Sequence, residues 1–197
     1  MTALGVTGVV LAAGASRRLG QPKQVLPYRD TTVLGATLDV ARAAGFDQLI
    51  VTLGGAAPLV RERVVLDGFD VVTADDFGAG CSASLRVALD AVDPGSTGIV
   101  LMLGDQPGID SADLRAIGAG GAGGADIMVC RYSDGVGHPF WFSRSMFGDL
   151  SGLHGDKGVW KLIESGRHPV GELRVDRPVP LDVDTWADYQ RLLATAP

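Results

Sequence analysis

The sequence predicts an α/β fold, a single domain built on a mostly parallel sheet with helices on both faces. Three observations carry that reading. Short β-branched runs alternate with helix-like patterns through the first half of the chain. Strand-like runs such as "IVLML" (residues 99–103) are apolar at consecutive positions, as a strand covered on both faces requires. The 197 residues suit one large domain, with no break in composition and no internal repeat to divide it.

The elements follow in order. "VTGVVLAA" (6–13) reads as a first strand, and "TTVLGATLDVARAAG" (31–45) as a helix with Leu34, Leu38 and Ala41 at helical spacing. "QLIVTL" (48–53) is a strand, "APLVRERVVL" (57–66) an amphipathic helix and "FDVVTA" (69–74) a strand. "SASLRVALDAV" (82–92) is a third helix before the strand "GIVLML" (98–103). This βαβαβαβ rhythm is Rossmann-like. A short helix at "SADLRA" (111–116) leads into "AIGAGGAGGAD" (116–126), whose glycines predict a flexible loop. "DIMVCRY" and "HPFWFS" are further strands; "SRSMFGDL", "KGVWKLIESG" and "TWADYQRLLA" are further helices. Trp141, Trp160 and Trp186 read as packing anchors.

Composition excludes several classes. A hydrophobic content of 46% with 20% charge describes a globular chain. No basic segment precedes the first apolar run and no apolar run nears the roughly 20 residues of a membrane span, so a cytoplasmic protein without membrane contact is expected. Cys81 and Cys130 lie far apart and read as reduced thiols. A net charge of −6 argues against nucleic-acid binding. Against that acidic background, Arg17, Arg18 and Lys23 crowd one loop beside the first strand. A local basic exception of this kind suits a small anionic ligand.

Ligands of open α/β sheets bind beyond the carboxyl ends of the strands, where this loop begins. Gly14 permits close backbone approach to a phosphate, Ser16 adds a hydroxyl, Arg18 a guanidinium fork and Lys23 a point charge. The loop is neither a P-loop nor a GxGxxG fingerprint, because Gly20 is followed by Gln21 and "GASRRLG" lacks the spacing. A second constellation is "GIVLMLGDQPGID" (98–110), where Asp105 stands at a strand end as a hard oxygen ligand suited to magnesium, or else as a helix cap. A third is "PLDVDTWADYQ" (180–190): Asp182 and Asp184 alternate along an extended run, so only one is expected to face a given metal, and Asp184-Thr185 equally suits the start of the last helix.

The series Leu11-Ala12-Ala13-Gly14-x-Ser16-x-Arg18-x-Gly20-x-x-Lys23 resembles the signature loop of nucleotidyltransferases, and more narrowly that of the molybdenum cofactor cytidylyltransferase and guanylyltransferase family. The likeness runs along nearly the whole chain through "FGAGCSASL" (77–85), "GDQP" (104–107), "GHPFWF" (137–142), "LHGDKG" (153–158) and "DVDT" (182–185). Cys81 stands where the family often has Met, and "TWAD" where it has Thr-Pro-Glu-Asp. The resemblance implies a nucleotide-diphospho-sugar transferase-like fold, with an NTP-binding half at about 1–110 and an acceptor-binding half at about 111–197.

It further implies that Leu11, Ala12, Ala13, Gly14, Ser16, Arg18 and Lys23 bind the nucleotide, together with Ser82, Ser84 and Asp105. Arg18, Lys23 and Asp105 would be catalytic, and Asp105 with Asp184 would hold Mg2+. Gly137, His138, Pro139 and Asp182 would face the acceptor. The reaction implied moves a nucleoside monophosphate from an NTP to the terminal phosphate of molybdopterin, with a molybdoenzyme client in transient contact. Ala13, where family guanylyltransferases carry Gly, points to CTP as donor. Two alternatives stay open: a sugar- or alcohol-phosphate acceptor, and a non-catalytic molybdenum cofactor carrier. In the acceptor-side segment 153–158, His154 and Asp156 have the character of metal ligands but no third partner at matching spacing; His154 reads as loop-shaping, and His168 as part of a surface turn.

Overall fold

A computed structural model describes residues 5–74 and 81–195. Residues 77–80 of the "FGAGCSASL" segment lie outside them. A seven-stranded sheet runs in the order β5-β4-β1-β6-β8-β7-β9. Its strands are β1 (Gly5–Ala12), β4 (Gln48–Leu53), β5 (Asp70–Thr73), β6 (Ser96–Leu103), β7 (Ile127–Arg131), β8 (Val136–Ser143) and β9 (Val170–Arg174). β2 (Pro27–Tyr28) and β3 (Thr31–Thr32) form a separate small hairpin. β8 runs antiparallel to both neighbours; every other pairing in the large sheet is parallel.

The apolar runs of the strands serve two cores by simple alternation. Val10 and Ala12 of β1 and Val100 and Met102 of β6 face α1 (Val33–Ala44), α2 (Ala57–Arg63) and α4 (Ser111–Ala122). Val9 and Leu11, with Ile99 and Leu101, face α3 (Cys81–Asp90), α5 (Phe147–Ser151) and α6 (Gly158–Glu164). A third cluster joins Leu19, Leu26, Tyr28 and Val33 to Val183 and to Leu192 of the last helix, α7 (Trp186–Thr195). It clamps the basic loop between the hairpin and the carboxyl-terminal helix. Among the described residues no helix is long and apolar enough to cross a membrane.

Three expectations change. The glycine-rich run 116–126 is not a loop for most of its length: α4 continues through Gly118, Gly120 and Gly121 to Ala122. Glycine is a poor helix former, but here its lack of a side chain is required. A Cβ on Gly121 would lie 2.1 Å from the buried Trp141 ring, so only glycine lets the helix approach that side chain. The helix expected at 57–66 stops at Arg63. Trp186 is 46% exposed on α7 rather than an anchor of the core, whereas Trp141 is fully buried.

His138 lies in the core on β8, its ring 4.0 Å from that of Phe140 and edge-on to Trp160. Burial pushes its imidazole down to about 3, so the folded protein holds it neutral. An unfolded chain takes up that proton below its ordinary value of about 6.5. Stability from this group is therefore full above about pH 6.5 and is lost as pH falls toward 3. His138→Phe is expected to remove up to about 1.4 kcal/mol per pH unit of that slope, measured by urea unfolding at pH 7.5 and 5.0.

Candidate active site

The chain leaves β1 for β4 and β5, then crosses back to lay β6 on the other side of β1. Such a reversal opens a crevice at the carboxyl ends of the two central strands. A cleft of about 630 Å3 lies there. One wall is the loop after β1, from Leu11 to Arg18 and on to Lys23; the floor carries Asp105 beyond β6.

The loop is held by its own polar groups. Ser16 adopts a φ of 50°, and Leu19 N–H closes the turn on the Ser16 carbonyl at 3.0 Å. The Ser16 hydroxyl accepts the Lys23 backbone N–H at 3.0 Å. Gln24, buried beneath, donates through Nε2 to the carbonyls of Ala12 at 2.8 Å and Gly14 at 3.0 Å. Those bonds hold the loop against the end of β1. Gln24 escaped the sequence reading because a glutamine in a charged loop carries no pattern of its own. Gln24→Leu strands both carbonyls; we expect a loss of roughly 2–3 kcal/mol in urea unfolding.

Asp105 and Asp184 are brought together by main-chain bonds. Gly104 N–H donates to the Leu11 carbonyl at 2.9 Å, extending the β1–β6 pairing, and Val183 N–H donates to the Asp105 carbonyl at 3.1 Å. A Cβ on Gly104 would lie 2.8 Å from Ala12 Cβ and 2.9 Å from Leu34, so glycine permits the close packing directly below the site. Lys23 Nζ donates to the Asp105 carboxylate and, at 2.8 Å, to Asp184 Oδ1. The other Asp184 oxygen accepts from Arg18 at 2.7 Å. Burial alone would lower the Lys23 pKa, but the two carboxylates outweigh it and hold the ammonium above its ordinary value. Partial burial works against ionised Asp184 as well, yet the Lys23 and Arg18 bonds keep its carboxyl below the usual range.

The sequence left Asp105 and Asp184 open between capping and ligation, and the structure separates the roles. Asp110, not Asp105, caps α4, accepting from Ala112 N–H at 2.7 Å. Thr185 caps α7, its hydroxyl exchanging bonds with Asp188, which leaves the Asp184 carboxylate free to face the cleft. The expectation that Asp182 and Asp184 face opposite ways fails. The segment between β9 and α7 is not a regular strand, so alternation does not govern it, and both residues line the cleft. Partial desolvation, then the Asp105 charge, push the Asp182 carboxyl up to about 6, although the residue as a whole is exposed.

The opposite wall brings Ser84 of α3, expected to bind nucleotide, and Cys81 together with Asp156 and Lys157 of the segment that resembles an acceptor-side motif. Asp156 accepts the Cys81 N–H at 3.1 Å, and the Ser82 hydroxyl donates to the Gly155 carbonyl at 2.6 Å. Ser82 is thus turned away from the cleft, fixing the 153–157 loop. Gly137, His138 and Pro139 do not line the cleft either: they lie on β8, with His138 in the aromatic cluster. His168 pairs with Asp149 at 3.1 Å, away from the cleft. Both cysteines are free thiols, Cys81 exposed and Cys130 buried.

Among the described residues no group of three or more His, Cys, Asp or Glu forms a ready-made metal cage. Two convergent carboxylates nevertheless fit a hard divalent cation of the kind that completes its shell with phosphate oxygens and water.

The arrangement of a basic loop facing carboxylates at the strand ends has parallels in known proteins. A family model described as the MobA-like NTP transferase domain matches residues 8–170. The chain belongs to the MobA-like NTP transferase family. The fold is that of the nucleotide-diphospho-sugar transferases, and the family is one of nucleotidyltransferases. Rv0371c from Mycobacterium tuberculosis H37Rv is 70% identical, superposes with a TM-score of 0.95, and the match covers 99% of this chain and 100% of that one. Rv0371c has also been solved as a complex with manganese, with a TM-score of 0.90 and 67% identity over 98% of this chain and 100% of that one. The purine catabolism protein PucB of Bacillus subtilis (strain 168) is 31% identical over 92% of this chain and 93% of its own. A probable molybdenum cofactor guanylyltransferase of Opitutus terrae is 31% identical over 68% of this chain and 63% of its own length.

Proposed function

We propose that this MobA-like transferase moves CMP from CTP to the terminal phosphate of a molybdopterin-type acceptor, releasing pyrophosphate and handing the product to a molybdoenzyme client. The observation that carries the reading is the meeting of Lys23 and Arg18 with Asp105 and Asp184 in one cleft at the switch point of the sheet. Gly14, Ser16, Arg18 and Lys23 hold the triphosphate, with Leu11, Ala12, Ala13 and Ser84 forming the wall beside it. Asp105 and Asp184 hold Mg2+ or Mn2+; when bound, such an ion neutralises charge on the α-phosphate as a Lewis acid. The manganese complex of Rv0371c supports a divalent ion. The name of the Opitutus terrae relative supports the acceptor class.

In the transfer, an acceptor phosphate oxygen forms a bond to the α-phosphorus as the bond from that phosphorus to the α–β bridging oxygen breaks. The electron pair leaves with pyrophosphate. The acceptor phosphate is ionised at neutral pH, so no side chain has to remove a proton. Lys23 and Arg18 offset the charge that gathers on the phosphoryl oxygens. Ala13 narrows the base side of the cleft and favours a pyrimidine. Asp182, which lines the cleft, faces the acceptor, while Gly137, His138 and Pro139 are buried on β8 and act only through that strand.

A panel of CTP, GTP, ATP and UTP, each with molybdopterin cofactor or a sugar 1-phosphate, tests donor and acceptor together through pyrophosphate release and product mass. The reading expects turnover with CTP and molybdopterin. Product on the sugar phosphate alone would replace the acceptor, and no pyrophosphate from any pair would leave a cofactor carrier.

A further inference from the structure

We propose that Lys23 is the resident counter-ion of the carboxylate pair: its ammonium and a divalent cation compete for the same oxygens, and loading the metal releases Lys23 and Arg18 to the triphosphate. This rests on the functional reading above and adds an order of assembly to it. The Lys23 ammonium contacts both Asp105 and Asp184 Oδ1, and Arg18 takes Asp184 Oδ2. The cations suited to phosphate are thus already engaged, and the carboxylates suited to a metal are already bridged.

An ammonium has three donors, two of which these carboxylates use. The Lys23 side chain is only 12% exposed, so water compensates little for the rest. The backbone at Lys23 is pinned by Ser16, and Gln24 beside it is fixed in the core. The device therefore works by side-chain rotation rather than loop movement. The stem runs along Gly14, where an added Cβ would lie 3.9 Å from Lys23 Cε, so the ammonium starts beside the phosphate-binding backbone.

Charge decides the coupling. In the free protein two carboxylates are matched by two cations. A divalent ion alone adds positive charge to a neutral set, and a triphosphate alone must draw cations from carboxylates that then stay bare. Bound together they compensate one another. Each is expected to raise the other's affinity by the same factor, as linkage requires.

The test is Mn2+ binding to the full chain without nucleotide, followed by electron paramagnetic resonance, for wild type, Lys23→Met and Arg17→Met. Arg17 lines the same cleft but pairs with no carboxylate among the described residues, so it controls for loss of charge alone. Lys23→Met is expected to bind Mn2+ roughly tenfold tighter or more, and Arg17→Met to change by less than about threefold. If Lys23→Met fails to fold, Arg18→Ala, at a side chain 66% exposed, should still tighten Mn2+ measurably beyond Arg17→Met. Unchanged affinity in the Lys23 and Arg18 variants, or equal tightening in Arg17→Met, overturns the competition and leaves the transferase reading standing. Absence of Mn2+ binding in every variant, with and without CTP, overturns both.

Discussion

Asp105→Asn is expected to lower the metal-dependent rate of pyrophosphate release by at least roughly 10²-fold, mostly in kcat. The substitution keeps the side chain's size, and the bond that Val183 N–H makes to the residue 105 carbonyl is a main-chain bond that it leaves in place. The change is one of charge at the point where β6 delivers a carboxylate to the cleft floor. CTP binding should fall less than turnover, because the β1 loop keeps its backbone bonds and loses only the Lys23 link to residue 105. Near-normal turnover would remove Asp105 from the chemistry. Equal loss of binding and turnover would instead mark it as a scaffold for the loop.

Lys23→Met should lower kcat/KM for the nucleotide by roughly 10²- to 10³-fold, while Arg18→Ala costs roughly tenfold. The difference follows from solvent. The Lys23 side chain is 12% exposed and acts where water screens little, whereas the Arg18 side chain is 66% exposed at the rim. Methionine retains most of the stem that lies against Gly14, so the loss is assigned to charge rather than packing. Steady-state kinetics of the two variants at saturating Mg2+ checks the order. A larger loss at Arg18 would place the reacting phosphate at the cleft mouth instead of its floor.

Much of this site was legible because its chemistry is local. The basic loop interrupts an apolar strand in an acidic chain, and Asp105 follows a strand that can only be buried. Both features appear in a dozen residues of sequence. What stayed hidden depends on contacts distant in the chain. The helix through Gly118 and Gly121 is stabilised against its own propensity by Trp141, a partner 20 positions beyond Gly121, and by the tight packing that glycine allows. The β9 strand, Val170–Arg174, pairs in parallel with β7 and carries no apolar run of its own. Asp182 and Asp184 obeyed no strand period, because their segment is shaped by the bond from Val183 to Asp105 and by the cluster around Leu19 and Leu192. Ser82 matched a sequence pattern, yet its hydroxyl is used by Gly155. Side chains that hold a loop and side chains that hold a ligand look alike in sequence.

The account depends on a metal-bearing triphosphate lying between the β1 loop and the two carboxylates. Crystals grown with Mn2+ and a CTP analogue that resists cleavage between its α- and β-phosphates measure this directly, since the anomalous signal of manganese locates the ion. The account predicts one manganese peak shared by Asp105 and Asp184, with the phosphates along Gly14 to Lys23 and the Lys23 ammonium turned onto them. A triphosphate bound elsewhere, or manganese held away from both carboxylates, would contradict it.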